Sequence, residues 1–219
     1  MKEMKKIITI NTVNKDTELF LQKDNILISK IVDDNNNSQA ELIVIFIEKL
    51  LKNNNLSYND LDYISIINGP GSFISLKTAI SAVKAMQVSL KIPVICNSLF
   101  DIIGYQQKYD LLVLNGDFNA YYIMDKKKNF FYVKKNEINS FVKKDSVILT
   151  NSQTIADELK DFNVKINQYS ISNIINLNFE KMLKNDFCQH IEALYIKSPQ
   201  VDTKKYDTTI NNIKNKLIK

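Results

Sequence analysis

The chain has no arginine and no tryptophan, and its 219 residues include only one histidine, two cysteines, three prolines and four glycines. Without arginine, the bidentate forks that usually recognise phosphates and bases are missing. A histidine-based zinc site or a Ser-His-Asp triad would rest on His190 alone, which argues against both. Several enzyme classes are therefore disfavoured before any motif is considered.

Cysteines and long apolar runs are also scarce. Cys96 and Cys188 are too few for a disulfide framework, so we expect a reducing cytoplasm, with Cys96 as a packing residue in an apolar strand. No apolar stretch approaches the ~20 residues that span a bilayer. The basic start at residues 1–6 lacks the apolar region of a secretion signal. The sequence thus predicts a cytoplasmic protein without membrane contact.

The formal net charge of +5 comes entirely from an excess of lysine. Lysine, isoleucine and asparagine are all heavily used, as in proteins from AT-rich genomes, so the charge is weak evidence for nucleic acid binding. A mildly basic surface that assists a tRNA-handling partner remains an open alternative.

The first half of the chain predicts three strands followed by alternating helices and strands. Short apolar runs at 7–10, 19–21 and 26–31 are separated by polar turns. The next segment, AELIVIFIEKLLKNN, predicts a helix that is apolar nearly all round. Such a helix needs a second neighbour, which is either a partner protein or the interior of its own domain.

Two more helices follow in this half. A strand at 61–67 leads through a glycine turn to a helix at 73–90, where Ala79, Ala82 and Ala85 would let another helix approach closely. The run IPVICNS predicts a buried strand, and Ser98 is expected to cap a short helix after it.

The pattern partly repeats after residue 108. Three strands are predicted within 109–135, a fourth in SVILTNS, and helices at 152–159 and 171–184. We therefore expect a duplicated α/β architecture: an N-terminal lobe at 1–107, a smaller C-terminal lobe at 108–200 and a polar, basic tail at 201–219.

The glycine loop NGPGSFISLKTA, residues 68–79, fails the specific tests for nucleotide or nucleophile loops. A phosphate-binding Walker loop needs glycine where Leu76 stands, and a dinucleotide loop needs one at Ile74. A nucleophile elbow needs glycines on both sides of Ser72. A structural turn with Ser72 as helix N-cap is the favoured interpretation, and anion binding at the helix start is the alternative.

The stretch NGPGSFISLKTAISAVKAMQVSLKIPVICNSLFDI resembles the segment GPGSFTGLRIG and the elements after it in the bacterial TsaB (YeaZ) family. IITINT stands where that family has a strand ending in DTS. QAELIVIFIEKLL stands where it has HSExLLPxIxxLL, and ALYIKSP resembles its late PxYLRxP element. The resemblance covers the first half well and the second half thinly.

This resemblance implies an actin-like, Hsp70-like duplicated fold in a non-catalytic scaffold subunit. Such proteins pair with the catalytic subunit TsaD and, with the ATPase TsaE, support formation of N6-threonylcarbamoyladenosine beside the anticodon of tRNAs that read codons beginning with A. It implies a homodimer when the chain is alone, no cofactor on this chain, ATP and a metal on partner subunits, and contact with tRNA only through the complex.

The family's pairing surface implies which residues would touch the partner, namely those of the two helices of the first half. They are Glu41, Ile43, Phe46, Ile47, Leu50, Leu76, Ala79, Ile80 and Val83. The loop residues Gly69, Pro70, Gly71 and Ser72 would orient the second helix.

Several polar family positions are changed in this chain. Asn11 stands where the family has a strand-end aspartate, Lys77 where it has arginine and Ser75 where it has a loop glycine. The family's DARxGEVY is replaced by NGDFNAYY, with Asn115, Asp117 and Ala120 at the charged positions. These changes argue against ATP hydrolysis. The rival interpretations are an actin-fold ATPase or glycoprotease-like enzyme, and a self-contained homodimeric binding module.

Overall fold

A computed structural model describes residues 4–14, 16–33, 39–116 and 119–196, with the backbone alone for 39–41. The side chain of Glu41, residue Asp117 and the tail at 201–219 lie outside the described residues. The described part is built around two five-stranded mixed sheets.

The first sheet has the order β3-β2-β1-β4-β5. Its strands are β1 Lys6–Asn11, β2 Thr17–Lys23, β3 Ile26–Asp33, β4 Tyr63–Ile67 and β5 Val94–Asn97. The first three are antiparallel neighbours, whereas β1, β4 and β5 run parallel. Ile7, Ile8, Ile64 and Ile66 are fully buried, as expected for central strands with both faces covered.

Helices follow the strands as the sequence predicts. α1 spans Gln39–Asn53, α2 spans Phe73–Leu90 and α3 spans Leu99–Gly104. α1 and α2 contribute to one core cluster with β1, β2 and β4. One face of the sheet is therefore closed by these two helices.

The second sheet repeats the plan in the order β10-β9-β6-β7-β8. Its strands are β6 Leu111–Asn115, β7 Ala120–Asp125, β8 Phe130–Lys134, β9 Val147–Thr150 and β10 Asn163–Ile166. Again three antiparallel strands come first and two parallel strands follow. The short helices α4 Ile138–Phe141 and α5 Gln153–Glu158 accompany this sheet. The predicted duplicated α/β architecture, with a mixed sheet and helices in each half, is confirmed.

The last described helix, α6 Ile171–Lys184, packs on the first sheet although it follows the second. At its centre the fully buried Asn178 accepts hydrogen bonds from Ser65 and Asn97, both at 2.7 Å. Its amide donates to Thr9 at 3.0 Å and to Gln22 at 2.8 Å. This buried polar hub fixes α6 on four different strands.

The segment after α6 continues along the first sheet. Cys188 N–H donates to the Val94 carbonyl at 2.8 Å, and Leu194 N–H donates to the Asn68 carbonyl at 2.8 Å. The chain thus returns to the first sheet after completing the second. The division at 107/108 stays a prediction.

Cys96 and Cys188 form a disulfide, with their Cα atoms 6.0 Å apart. The prediction that Cys96 only fills an apolar strand is therefore wrong, because its sulfur is bonded to Cys188; one pair of cysteines has no spacing pattern that would predict the bond. The bond joins β5 to the segment after α6, residues that are 92 positions apart in sequence. Cys188 is partly buried against the core of the first sheet.

Within the described residues, the helices include none with the length and apolar character that a bilayer crossing requires.

Candidate partner-binding surface

The helices predicted to meet a partner pack closely on their own sheet. Most of the side chains named from the sequence are at most 7% exposed: Ile43, Ile47, Leu50, Leu76, Ala79, Ile80 and Val83. Phe46 is partly buried against the same core. The prediction therefore named the core-facing side of each helix, because an apolar pattern does not distinguish the face that packs within the chain from a face that packs outside it.

Other apolar residues of α1 and α2 are exposed to solvent. Val44 and Ile45 on α1 are 52% and 56% exposed, while Ile74 and Val88 on α2 are 73% and 76% exposed. A single exposed apolar residue needs no explanation, but these four lie on two neighbouring helices.

The outer face of α2 carries a stripe at spacings of four, three, four and three residues, which places its members on one side of the helix. We call Ile74, Thr78, Ser81, Ala85 and Val88 the α2 stripe. Its two hydroxyls are satisfied inside the helix, because Thr78 Oγ1 donates to the Ile74 carbonyl at 3.0 Å and Ser81 Oγ donates to the Lys77 carbonyl at 2.8 Å. A partner helix could cover the stripe without leaving a hydroxyl unsatisfied.

A shallow apolar cavity of about 360 Å³ lies between α1 and α2. It is lined by Val44, Ile47, Tyr58, Ala82, Ala85, Met86, Ser89 and Leu90. Ala82 and Ala85 leave this space because they have no side chain beyond Cβ. Ala79 instead lies fully buried in the same core cluster as α1 residues. Ala79 thus packs inside the chain, whereas Ala82 and Ala85 line the apolar cavity.

The glycines of the loop before α2 allow close packing on both sides. Gly69 has φ +129°, and a Cβ there would lie 3.0 Å from the Leu194 carbonyl oxygen. A Cβ on Gly71 would lie 3.0 Å from Val13 Cα. The loop is therefore held between the segment after α6 and the β1–β2 turn, as expected for a structural turn.

Ser72 occupies the N-cap position of α2, but its side chain makes no capping hydrogen bond. Its carbonyl accepts from Leu76 N–H at 2.9 Å, so a backbone hydrogen bond closes the first turn of the helix. The predicted side-chain cap is thus corrected at Ser72. Ser98, by contrast, caps α3 as predicted, since its hydroxyl accepts from Asp101 N–H at 3.1 Å.

A second cavity, of about 380 Å³, lies between the glycine loop and the start of the β6–β7 connection. Its described lining carries no charged side chain: Val13, Pro70, Gly71, Ser72, Leu99, Leu114, Asn115, Gly116, Tyr122 and Asn151. The described lining therefore has no carboxylate that could hold a metal ion.

Asn11, at the end of β1, is fully buried and has its amide occupied by protein groups. Its nitrogen donates to Glu18 at 2.6 Å and to the Tyr169 hydroxyl at 2.8 Å, and its oxygen accepts from Val13 N–H at 3.1 Å. Tyr169 donates to the same Glu18 carboxylate at 2.7 Å. Burial, reinforced by the Glu18 charge, raises the pKa of the Tyr169 hydroxyl. The Asn11 amide therefore joins the end of β1 to β2 and to the segment before α6, and each of its polar atoms has a protein partner.

Metal-binding side chains are not clustered elsewhere in the part of the chain that the structure describes, where groups of three or more His, Cys, Asp or Glu are absent. His190 lies two residues after the disulfide-bonded Cys188 and joins no such group.

Comparison with known proteins gives consistent matches. The family model described as "TsaD: tRNA N6-adenosine threonylcarbamoyltransferase" matches residues 35–208. Two curated proteins named "tRNA threonylcarbamoyladenosine biosynthesis protein TsaB", from Buchnera aphidicola of Acyrthosiphon pisum and of Schizaphis graminum, are 32% and 29% identical over 98 and 86 residues. These matches cover 42% and 36% of this chain and 40% and 41% of those proteins. The chain thus spans about two fifths of the length of the curated relatives it matches.

A solved structure from Pseudomonas aeruginosa, described as an uncharacterized protein with similarity to peptidase YEAZ, has the same fold. It aligns with a TM-score of 0.68 at 12% identity and covers 89% of this chain and 100% of that chain. At such low identity the likeness concerns the fold alone.

Proposed function

The chain belongs to the TsaB (YeaZ) family, and from that premise we propose that it is a non-catalytic scaffold subunit in the formation of N6-threonylcarbamoyladenosine in tRNA. The names of its relatives and the description of the matching family model support this pathway. The specific role is to hold the catalytic TsaD-like subunit in an active arrangement, together with a TsaE-like ATPase.

One observation carries the proposal: the α2 stripe beside the exposed α1 residues Val44 and Ile45. The stripe is apolar at both ends and small in the middle, where Thr78, Ser81 and Ala85 would permit close approach of a helix. Val44 also lines the α1–α2 cavity, which could receive an apolar side chain of the partner. The same surface would join two copies when the partner is absent.

The non-catalytic part of the proposal is supported by Asn11 and by the cleft beside the glycine loop. The Asn11 amide is committed to Glu18, Tyr169 and Val13, and the described lining of the cleft is uncharged. We expect ATP and its metal on partner subunits, tRNA contact through the complex, and a cytoplasmic location in keeping with the family.

The test compares two matched substitutions on exposed helical residues. Val88→Glu places a carboxylate in the α2 stripe, whereas Leu183→Glu places one on α6, where Leu183 is 60% exposed. Both variants should fold, because neither position is buried. Val88→Glu should weaken pairing with the organism's TsaD-like protein by several kcal/mol, since an unpaired charge would be buried on association.

Pairing is measured as molar mass by light scattering on a sizing column. The expected result is a complex for the original chain and for Leu183→Glu, but separate subunits for Val88→Glu. If all three mixtures had the same molar mass, the α2 stripe would not be part of the interface. Substituting Ile47 would not be informative, because at 1% exposure its replacement by a charge would unfold the chain.

A second candidate, an enzyme with its own transferase or ATPase activity, is favoured by one finding, which is the transferase description of the matching family model. It predicts tight binding of ATP to the isolated chain. Isothermal titration with ATP and Mg²⁺ separates the two candidates, because the scaffold proposal expects no heat of binding.

A further inference from the structure

A pair of exposed lysines lies beside the α2 stripe. Lys77, Ser81 and Lys84 line a cavity of about 390 Å³ between α2 and the segment after α6, which contributes Glu192 and Tyr195. This cavity shares no lining residue with the α1–α2 cavity, as expected for openings on opposite sides of one helix. Because Ser81 also belongs to the α2 stripe, the cavity and the stripe form one continuous surface. We call Lys77 and Lys84 the basic flank.

The ammonium groups of the basic flank have no carboxylate partner in the described chain. Neither lysine forms a salt bridge with another described residue. The Lys77 ammonium lies 4.2 Å from the centre of the Phe73 ring, which holds it close to the helix but does not neutralise its charge. Both lysines therefore remain available to a carboxylate from another molecule.

Positive charge prevails on the outer face of α2. The helix contains two lysines and no aspartate or glutamate. Glu192 is the only carboxylate in the described lining of the cavity, so two lysines against one carboxylate leave a net charge of +1 there. On the neighbouring α1, the Glu48 carboxylate lies 3.8 Å from the Lys52 ammonium and already has a partner. The neighbouring carboxylates therefore leave the basic flank with a surplus of positive charge.

A second copy of the chain is poorly matched to this surface. A two-fold pair of identical subunits buries the same patch of both copies. Such a pair through the α2 stripe would bring together two basic flanks, each with a net positive charge. Like charges across an interface oppose association, whereas opposite charges favour it and select the partner.

We propose that the basic flank selects a partner helix that carries carboxylates along one edge, and gives this helix the advantage over a second copy of the chain. Lys77 and Lys84 are seven residues apart, which is about 10 Å along the helix axis. Two carboxylates at the same spacing on a helix that lies along the α2 stripe would meet both lysines.

This inference rests on the proposed function, because it assigns the acidic helix to the TsaD-like subunit. It goes further in saying why the partner would replace a homodimer that uses the same stripe. The apolar and small residues of the stripe suit either occupant, and the charges beside the stripe distinguish between the two.

The test measures two equilibria at about 50 and 500 mM NaCl, because salt screens exposed charges. Isothermal titration gives the Kd for the TsaD-like protein, and sedimentation equilibrium gives the dimer constant of the chain alone. Lys77→Gln combined with Lys84→Gln should weaken the complex about tenfold at the lower salt concentration and strengthen the homodimer at least about threefold. For the original chain, the higher salt concentration should weaken the complex and strengthen the homodimer.

Lys30→Gln combined with Lys165→Gln is the matched control. Both are exposed lysines on the outer strands β3 and β10, so this variant loses the same charge away from α2. It should keep both equilibria within about twofold of the original chain. Lys77→Arg combined with Lys84→Arg retains the charges and should retain the affinity for the partner. Thermal unfolding of each variant verifies that the fold is retained.

Two results would overturn the inference: a Kd that is the same in the basic-flank Gln variant and in the control, or a homodimer that the basic-flank Gln variant weakens. The complete absence of a complex between the original chain and the TsaD-like protein would refute the proposed function and this inference with it. A complex that forms but ignores the loss of both lysines would refute only the selection by charge. The two failures are therefore distinguishable.

Discussion

Asn178→Leu is expected to be the most damaging single substitution of a polar residue in the described chain. Asn178 lies on α6 and makes four side-chain hydrogen bonds in a fully buried site, with Ser65, Asn97, Thr9 and Gln22. Leucine has a similar size, so the change mainly removes hydrogen bonds and leaves little empty volume.

The expected cost follows from the partners left behind. Each buried polar group that loses its only partner costs about 1–3 kcal/mol. Ser65 and Asn97 both lose an acceptor, and Asn97 Oδ1 already has no partner in the described structure. Gln22 keeps its bonds to the Asp24 and Ile175 carbonyls through its nitrogen. Ser65 and Asn97 are strongly affected, and Thr9 and Gln22 weakly. Together they give a loss of about 3–5 kcal/mol in the free energy of unfolding.

Chemical denaturation with urea measures this loss as a change in midpoint at constant slope. Asn176→Leu on the same helix is the control, because Asn176 is only half-buried and its side chain has no recorded hydrogen bond among described residues. It should change the free energy of unfolding by no more than about 0.5 kcal/mol. If Asn178→Leu proves equally mild, the hub does not fix α6 on the first sheet.

Asn178→Asp gives the same hub a pH dependence. The carboxylate can still accept from Ser65 and Asn97, but it cannot donate to Thr9 or Gln22, and burial raises its pKa. The folded state then binds this proton more tightly than the unfolded state. The loss in free energy of unfolding relative to the original chain should therefore shrink as the pH falls towards the raised pKa. A deficit that is constant between about pH 5 and 8 would contradict this reasoning.

Three further substitutions test other parts of the structure. Gly69→Ala should lower stability by about 1–3 kcal/mol, because φ +129° is strained for alanine and its Cβ would crowd the Leu194 carbonyl; an unchanged melting temperature would contradict the loop geometry. Asn11→Ala should lower the melting temperature while leaving pairing with the catalytic subunit intact, and lost pairing at full stability would indicate a ligand there. Replacing both Cys96 and Cys188 with serine should lower stability by about 2–4 kcal/mol under oxidising conditions, as expected for a crosslink over 92 residues; equal urea midpoints would show that the bond adds nothing.

The sequence predicted the architecture because its regular segments carry strong local signals. The apolar run at Ile64–Ile67 and the long helix α2 appear where expected, and the restart after residue 108 corresponds to the second sheet. The strand β10 was not predicted. Its four residues alternate polar and apolar side chains, but a run this short at an exposed edge is a weak signal for a strand.

For the proposed partner surface, the sequence distinguishes the helices but not the side chains that lie outside from those that lie inside. A sequence shows that Ile47 and Val88 are both apolar, yet only the packing reveals that the first is 1% and the second 76% exposed. Spacing could have found the α2 stripe, since Ile74, Ser81 and Val88 are seven residues apart. The stripe was missed because two of its middle residues, Thr78 and Ser81, are polar. Only the formed helix shows that their hydroxyls bond to its own backbone.

Contacts between residues distant in sequence were beyond the sequence analysis. The bonds from Asn178 to Thr9 and from Asn11 to Tyr169 join positions that differ by more than 150 residues. The cysteine pair, 92 positions apart, is a further contact of this kind. Such contacts depend on the return of the chain to the first sheet after the second is complete, and no local pattern signals that return.

The most direct test of the central claim is the molar mass, by light scattering on a sizing column, of the chain alone and mixed with its organism's TsaD-like protein. The scaffold proposal predicts a homodimer alone and, in the mixture, a species that contains both proteins and replaces that homodimer. A homodimer that persists unchanged beside the free partner would contradict the account and would favour a self-contained binding module.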